Sequence, residues 1–253
     1  MKKELEAPSR HEIWKMFDRI SPTYDIVNRV MTFGMDQLWR KRLCSFLPYL
    51  KENQILDGAR GKEMRILDCA TGTGDQIIAL LEKRGDISSV IGIDLASSMI
   101  EIGKEKIAKK PYANKVNFQV ASALEIPFPD NYFEGVTISF GIRNVTDIMA
   151  AFKEFRRVLK PKGRVLILEG TLPRKKWLRS LYLFYLRHFL PRIGGIISKN
   201  FDAYRYLNET IETFPQGERF CGLMRAAGFV DVQESSLLGG IVTVYQGDKD
   251  APV

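Results

Sequence analysis

Arg65-Ile66-Leu67-Asp68-Cys69-Ala70-Thr71-Gly72-Thr73-Gly74-Asp75 decides the fold of this chain. Residues 65–69 (RILDC) are a short apolar run that predicts a buried strand, and residues 75–84 (DQIIALLEKR) have helical spacing. Between them lies a turn of small residues. Strand, small-residue turn and helix together aim backbone amides at a ligand beyond the carboxyl end of a sheet, because the main chain can come close where side chains are small. A dinucleotide fingerprint would place a third glycine at Ile77, and a phosphate-binding loop would continue into Gly-Lys-Ser/Thr; neither is present. What fits is an acid at the strand end followed by small residues at alternate positions, Asp68, Ala70, Gly72 and Gly74. Such a loop suits a nucleoside that carries no pyrophosphate.

The companion features lie further along. The next apolar run, 90–95 (VIGIDL), ends in Asp94, 20 residues after Gly74, where a carboxylate can accept hydrogen bonds from both ribose hydroxyls. After the run 116–120 (VNFQV) come Ser122 and Ala123, small enough to flank an adenine edge. Runs at 136–140 (VTISF) and 164–169 (RVLILE) follow, with helical patterns at 97–109 and 147–159 between the strands and Pro161 as a breaker. Strands alternating with helices predict a parallel sheet covered on both faces. The alternation stops for about 45 residues and resumes as a helix at 218–227, then two strands, 230–236 and 241–246, joined by 237–240 with no helix between. The expected fold class is therefore α/β, Rossmann-like, with seven strands, mostly parallel and closed by an antiparallel pair. A helical, aromatic-rich extension (1–60) precedes a domain at 61–253, which carries a helical insertion at about 172–217.

Composition narrows the class. The chain has 253 residues, 45% hydrophobic and 27% charged, enough for a filled core and too apolar for disorder. Three scattered cysteines and two histidines, His11 and His188, argue against a disulfide scaffold and against a metal site. The net charge is +8, and the stretch 172–201 carries Arg174, Lys175, Lys176, Arg179, Arg187, Arg192 and Lys199 with no acid, so it accounts for nearly all of the excess. No signal-like or membrane-spanning apolar run is present. A cytoplasmic protein is expected.

The strand-loop-helix with its two acids resembles the class I S-adenosylmethionine-dependent methyltransferases, over about 64–170 and the terminal strand pair. A narrower likeness rests on three stretches: FDRISPTYDIVNRVMTFG from Phe17 to Gly34, ISFGIRNV from Ile138 to Val145, and RVLKPKG from Arg157 to Gly163. With PFPD from Pro127 and YRYL from Tyr204, the chain is similar to the ubiquinone/menaquinone biosynthesis C-methyltransferase family over nearly its whole length. It departs from that family at Asp36, commonly histidine, and at Lys162, commonly a second glycine.

This resemblance implies S-adenosyl-L-methionine as cofactor and a polyprenylated quinol as substrate, with demethylmenaquinol giving menaquinol as the first reading and the benzoquinol precursor of ubiquinone as the alternative. Cofactor contacts carried over fall on Thr73, Asp94, Ser122, Ala123 and Ser139; Leu95 beside Asp94 is counted with them, as are the loop residues Asp68, Gly72 and Gly74. A sulfonium methyl is transferred to an electron-rich ring carbon, helped by loss of a phenol-like proton that titrates at about 10 in water. Arg143, in the loop leaving the fourth strand, is expected to stabilise the developing phenolate, and Asn144 to orient the same oxygen or a water that takes the proton. Tyr24 and Asp25 are the second candidates, lining the pocket, with Asp25 as a general base. Each has a plainer alternative: Arg143 pairing with a neighbouring acid, Tyr24 and Asp25 capping a helix.

The segment WLRSLYLFYLRHF, from Trp177, sets Lys176, Arg179 and Arg187 within about 80° of one another on a helix. It suits either an amphipathic helix lying on an anionic membrane or a lid packed on the sheet. A nucleic-acid methyltransferase is disfavoured because SFGIRN lacks the proline-rich grip used on a flipped base. A non-catalytic S-adenosylmethionine-binding protein would have no need of Arg143 and Asn144. Self-association stays open.

Overall fold

The computed structural model describes residues 12–48 and 64–251. Residues 1–11 and the 49–60 part of the expected N-terminal extension lie outside the described residues.

Seven strands form one sheet: β1 (Met64–Cys69), β2 (Ile87–Asp94), β3 (Val116–Val120), β4 (Phe133–Ser139), β5 (Leu159–Gly170), β6 (Phe229–Leu237) and β7 (Val242–Lys249), in the spatial order β3-β2-β1-β4-β5-β7-β6. The first five are parallel, and β7 runs antiparallel between β5 and β6. The chain steps outward from β1 to β3, then returns to place β4 on the other side of β1. That reversal opens a crevice at the carboxyl ends of β1 and β4.

Strand alternation divides the core between the two faces. Leu67, Cys69, Val165 and Ile167 point to one side, where α5 (Ile148–Val158) and α9 (Glu218–Ala226) contribute Phe152, Phe155 and Phe220. Met64, Ile66, Leu166 and Leu168 point to the other and meet α2 (Met35–Cys44), α3 (Asp75–Lys83) and α4 (Ser97–Ala108) through Leu43, Leu80 and Ile107. Helix starts follow local chemistry: the Asp147 carboxylate accepts from the Ala150 amide at the head of α5, at 2.9 Å.

A third cluster lies outside the sheet and joins distant segments. In it α1 (Ile13–Thr32) packs Ile20, Val27 and Met31 against Leu186, Leu190 and Tyr204 of the insertion, which comprises α6 (Lys176–Phe184), a π turn (Tyr185–Phe189), α7 (Leu190–Ser198) and α8 (Phe201–Thr213). Pro22 sits inside α1 and has no N–H for the Asp18 carbonyl; the Ser21 hydroxyl donates to that oxygen instead, at 2.9 Å, so the helix continues. Among the described residues no helix is long and apolar enough to cross a membrane.

The element order is the expected one, and the differences are at the margins. β4 begins at Phe133 rather than 136 because the Glu134 side chain accepts from the Arg65 amide and pairs with Lys160, tying a polar strand start to both neighbours. It stops at Ser139, since Phe140 takes φ 58°. β5 starts at Leu159, upstream of Pro161, through a pairing with Phe133 before the register shifts. Lys162, where the family commonly has glycine, adopts φ 63°.

Candidate active site

The crevice contains a cavity of about 240 Å³. Ala70 and Gly72 form one wall, Asp94 and Leu95 the next, Ser122 and Ala123 a third, and Ser139 to Gly141 the end of β4. Gly72 (φ 55°) and Gly74 (φ 79°) turn the loop through a conformation that suits glycine, and a Cβ built on Gly72 meets nothing within 4 Å. The main chain there faces open space, as a loop cradling a ligand must.

Asp94 is held at both oxygens: the Gly72 amide donates to Oδ2 at 2.8 Å and the Ala96 amide to Oδ1 at 2.9 Å. Burial pushes its carboxyl above the usual range, and the amide bonds oppose that shift. The carboxylate lines the cavity, where it can accept from a ribose hydroxyl. Ser122 Oγ accepts from the Leu124 amide at 3.1 Å, and Ser139 Oγ donates to Gln76 at 3.0 Å, which fixes both cavity-lining hydroxyls.

Three expected cofactor residues serve the loop rather than the cavity. Asp68 is buried, receives the hydroxyls of Thr71 at 2.7 Å and Thr137 at 2.6 Å, and is pushed by burial to about 6. It buttresses the turn from behind. Gly74 is the N-cap of α3. The Thr73 hydroxyl points away from the cavity and donates to Asp25 at 2.7 Å.

The expected catalytic residues separate likewise. Asn144 and Tyr24 line the cavity. Asn144 Oδ1 is buried and has no hydrogen-bond partner among the described residues. Burial raises the Tyr24 hydroxyl above its ordinary value, which keeps it protonated and able to donate.

Arg143 does not line the cavity. Its guanidinium forms a buried ion pair with Glu169, whose carboxylate also accepts from the Gly170 amide at 2.8 Å. A direct contact with the reacting ring therefore gives way to the plainer alternative, a pair behind the wall. Burial of Glu169 raises its carboxyl, and Arg143 opposes this.

Asp25 also faces elsewhere. It lies in a second cleft of about 480 Å³, accepting from Thr73 and, at 2.7 Å, from Lys106; Lys106 also reaches Asp75 at 2.6 Å, and Arg29 reaches Asp75 at 2.7 Å and pairs with Asp36. For Asp75, burial works upward, yet Arg40 and Lys106 outweigh it and draw the carboxyl down to about 2. This network fastens α1 to the cofactor loop, to α3 and to α4. The general-base expectation for Asp25 is corrected accordingly: both its oxygens are engaged away from the cavity.

Residues not singled out as site residues complete the enclosure. Ile13, Trp14 and Phe17 of α1 wall the cavity with Tyr24, whose ring meets Phe17 edge-on at 6.0 Å; Phe140 stands opposite. The signal available was helical spacing, since Trp14, Phe17 and Tyr24 fall on one face.

A cavity between a glycine loop and a strand-end carboxylate, at the switch point of a sheet closed by an antiparallel pair, is the arrangement of a class I S-adenosylmethionine-dependent methyltransferase. Solved structures share the fold: an S-adenosyl-L-methionine-dependent methyltransferase from Thermotoga maritima superposes with a TM-score of 0.64 at 20% identity, over 94% of this chain and 99% of that one. A second, so described, from Methanococcus maripaludis superposes with a TM-score of 0.65 at 20% identity, over 94% and 95%. The chain belongs to the ubiE/COQ5 methyltransferase family, whose model matches residues 5–249. It is 43% identical over 94% of its length to the ubiquinone/menaquinone biosynthesis C-methyltransferase UbiE of Geotalea daltonii, covering 96% of that protein. The UbiE of Proteus mirabilis is 39% identical over 93% of this chain and 89% of its own. The chain is thus an S-adenosylmethionine-dependent C-methyltransferase.

Proposed function

We propose that this protein methylates a ring carbon of a polyprenylated hydroquinone, with demethylmenaquinol as the substrate. The carrying observation is one cavity with Asp94 and Gly72 on one side and Asn144, Tyr24 and the aromatic wall of α1 on the other. The relatives' names cover both naphthoquinone and benzoquinone products; the flat walls of Trp14, Phe17 and Phe140 favour the larger, bicyclic ring.

Bound S-adenosylmethionine supplies an electrophilic methyl on a positively charged sulfur. The chain's part is to place a ring carbon in line with it and to let the ring hydroxyl lose its proton. The unpaired Asn144 oxygen accepts from that hydroxyl or from the water that removes the proton. Tyr24, kept protonated by burial, donates to the oxygen as negative charge builds. Arg143, held by Glu169, positions the turn that presents Asn144. The α1 helix excludes water, which strengthens these interactions.

Incubating the protein with labelled cofactor and short-chain demethylmenaquinol should give a product heavier by one CH2 group. Faster turnover of the benzoquinol analogue would move the assignment to the ubiquinone precursor, and transfer to neither would refute the reading.

A further inference from the structure

The helix α6 carries Trp177, Leu181 and Phe184 at helical spacings of four and three, so they share one face. They are 68%, 59% and 53% exposed, and no residue of α6 is buried. Phe189, at the end of the π turn, and Ile196 of α7 are exposed as well. An uncovered aromatic cluster of this kind marks a surface that meets something apolar.

The charge around it is one-sided. Arg174 and Arg187 are paired with Glu234 and Glu212, while Lys175, Lys176 and Lys199 are exposed and take part in no ion pair among the described residues. Between 172 and 201 there is no acid. A second copy of this chain docked face to face would bring like charges together, because a two-fold interface repeats the same patch on both sides. An apolar stripe fringed by cations matches instead the boundary between acyl chains and acidic headgroups.

The other side of α6 and the π turn that follows it face the α1 cluster. Tyr182 packs against the α1 cluster within reach of the charges of Arg143 and Glu169, and the Tyr185 hydroxyl donates to the Met31 carbonyl of α1 at 2.7 Å.

We infer that the Trp177-Leu181-Phe184 face of α6, with Lys175, Lys176 and Arg179, is the surface by which the protein docks on an anionic lipid bilayer. Resting on the quinol reading above, it further follows that the quinol head rises into the cavity while the polyprenyl tail stays among the lipids. The substrate therefore never crosses water.

The test is sedimentation of the full chain with vesicles of equal parts phosphatidylcholine and phosphatidylglycerol, and with phosphatidylcholine alone. The protein should follow the anionic vesicles and be released by salt. Replacing Lys175, Lys176 and Arg179 by glutamine should lower partitioning about a hundredfold, at about fivefold per cation. The variant Trp177→Ser, Leu181→Ser, Phe184→Ser should stay in the supernatant. In both variants methyl transfer to a water-soluble short-chain quinol should be unchanged, while transfer to a long-chain quinol embedded in anionic vesicles drops about tenfold or more. Wild-type protein left in the supernatant, or equal partitioning of wild type and both variants, would overturn the proposal. So would a wild-type dimer that the serine variant dissociates without any vesicle binding. Vesicle binding by a protein that methylates no quinol would sustain the docking surface and sink the substrate assignment alone.

Discussion

Asp25→Asn separates a base from a fastening. Asparagine keeps an oxygen for the Thr73 hydroxyl, now 2.7 Å from Asp25, but removes the negative partner of Lys106. At an effective dielectric of about 20, a pair this close attracts by about 6 kcal/mol. The two side chains are 30% and 26% exposed, so solvent screening and desolvation leave a net of about 1–2 kcal/mol. Lys106 retains Asp75, which caps the loss at that level. For a chain of this size the midpoint of thermal unfolding should fall by about 2–8 °C. The cofactor should bind a few times more weakly, because Thr73 belongs to the loop that cradles it, while turnover at saturation stays within about tenfold of wild type. The assays are urea and thermal unfolding at pH 7, cofactor titration and steady-state kinetics. Loss of a general base costs about 10²–10⁴ in rate. Unchanged stability with a rate reduced in that range would refute the fastening role and return Asp25 to the chemistry.

Asp94→Ala removes the acceptor facing the ribose and should raise the cofactor dissociation constant about 10–100-fold, by titration calorimetry, with turnover at saturation largely kept. Arg143→Ala leaves Glu169 buried without its partner and should destabilise by about 3–5 kcal/mol in urea unfolding; adding Glu169→Gln should recover most of it. Asp75, at about 2 when folded against 3.8 when unfolded, contributes about 2 kcal/mol of stability that is present above pH 4 and lost as pH falls through 2. Acid unfolding of Asp75→Asn should accordingly be flatter than wild type in that window, and parallel curves would contradict the assignment.

What was legible in the sequence is what is local. Asp68 to Gly74 shows its turn in its own small residues, and Asp94 its strand end in the apolar run before it, although the bonds that hold both carboxylates come from Thr137 and Gly72 further along the chain. The terminal strand pair was legible for the same reason. What was hidden depends on pairings across long separations: Arg143 with Glu169, Asp25 with Lys106, and Thr73 with Asp25. Nothing in FGIRN tells whether an arginine faces a ring or a glutamate on the neighbouring strand. The left-handed Phe140, which ends β4, likewise carries no mark in its residue type. The sheet follows from periodicity, whereas the direction of a charged side chain follows from whichever partner the finished fold brings within 3 Å.

The seam between α1 and the insertion has a consequence for biogenesis. The Tyr185 hydroxyl and the Met31 carbonyl are 154 positions apart, and among the described helices α7 covers α1 most, with α4 next. On the ribosome α1 must therefore wait for the largest part of its cover until most of the chain has been made, and a nascent polypeptide cut short before Leu190 would leave that part exposed. Chaperone dependence of truncated translation products should accordingly track the presence of the insertion rather than the completeness of the sheet.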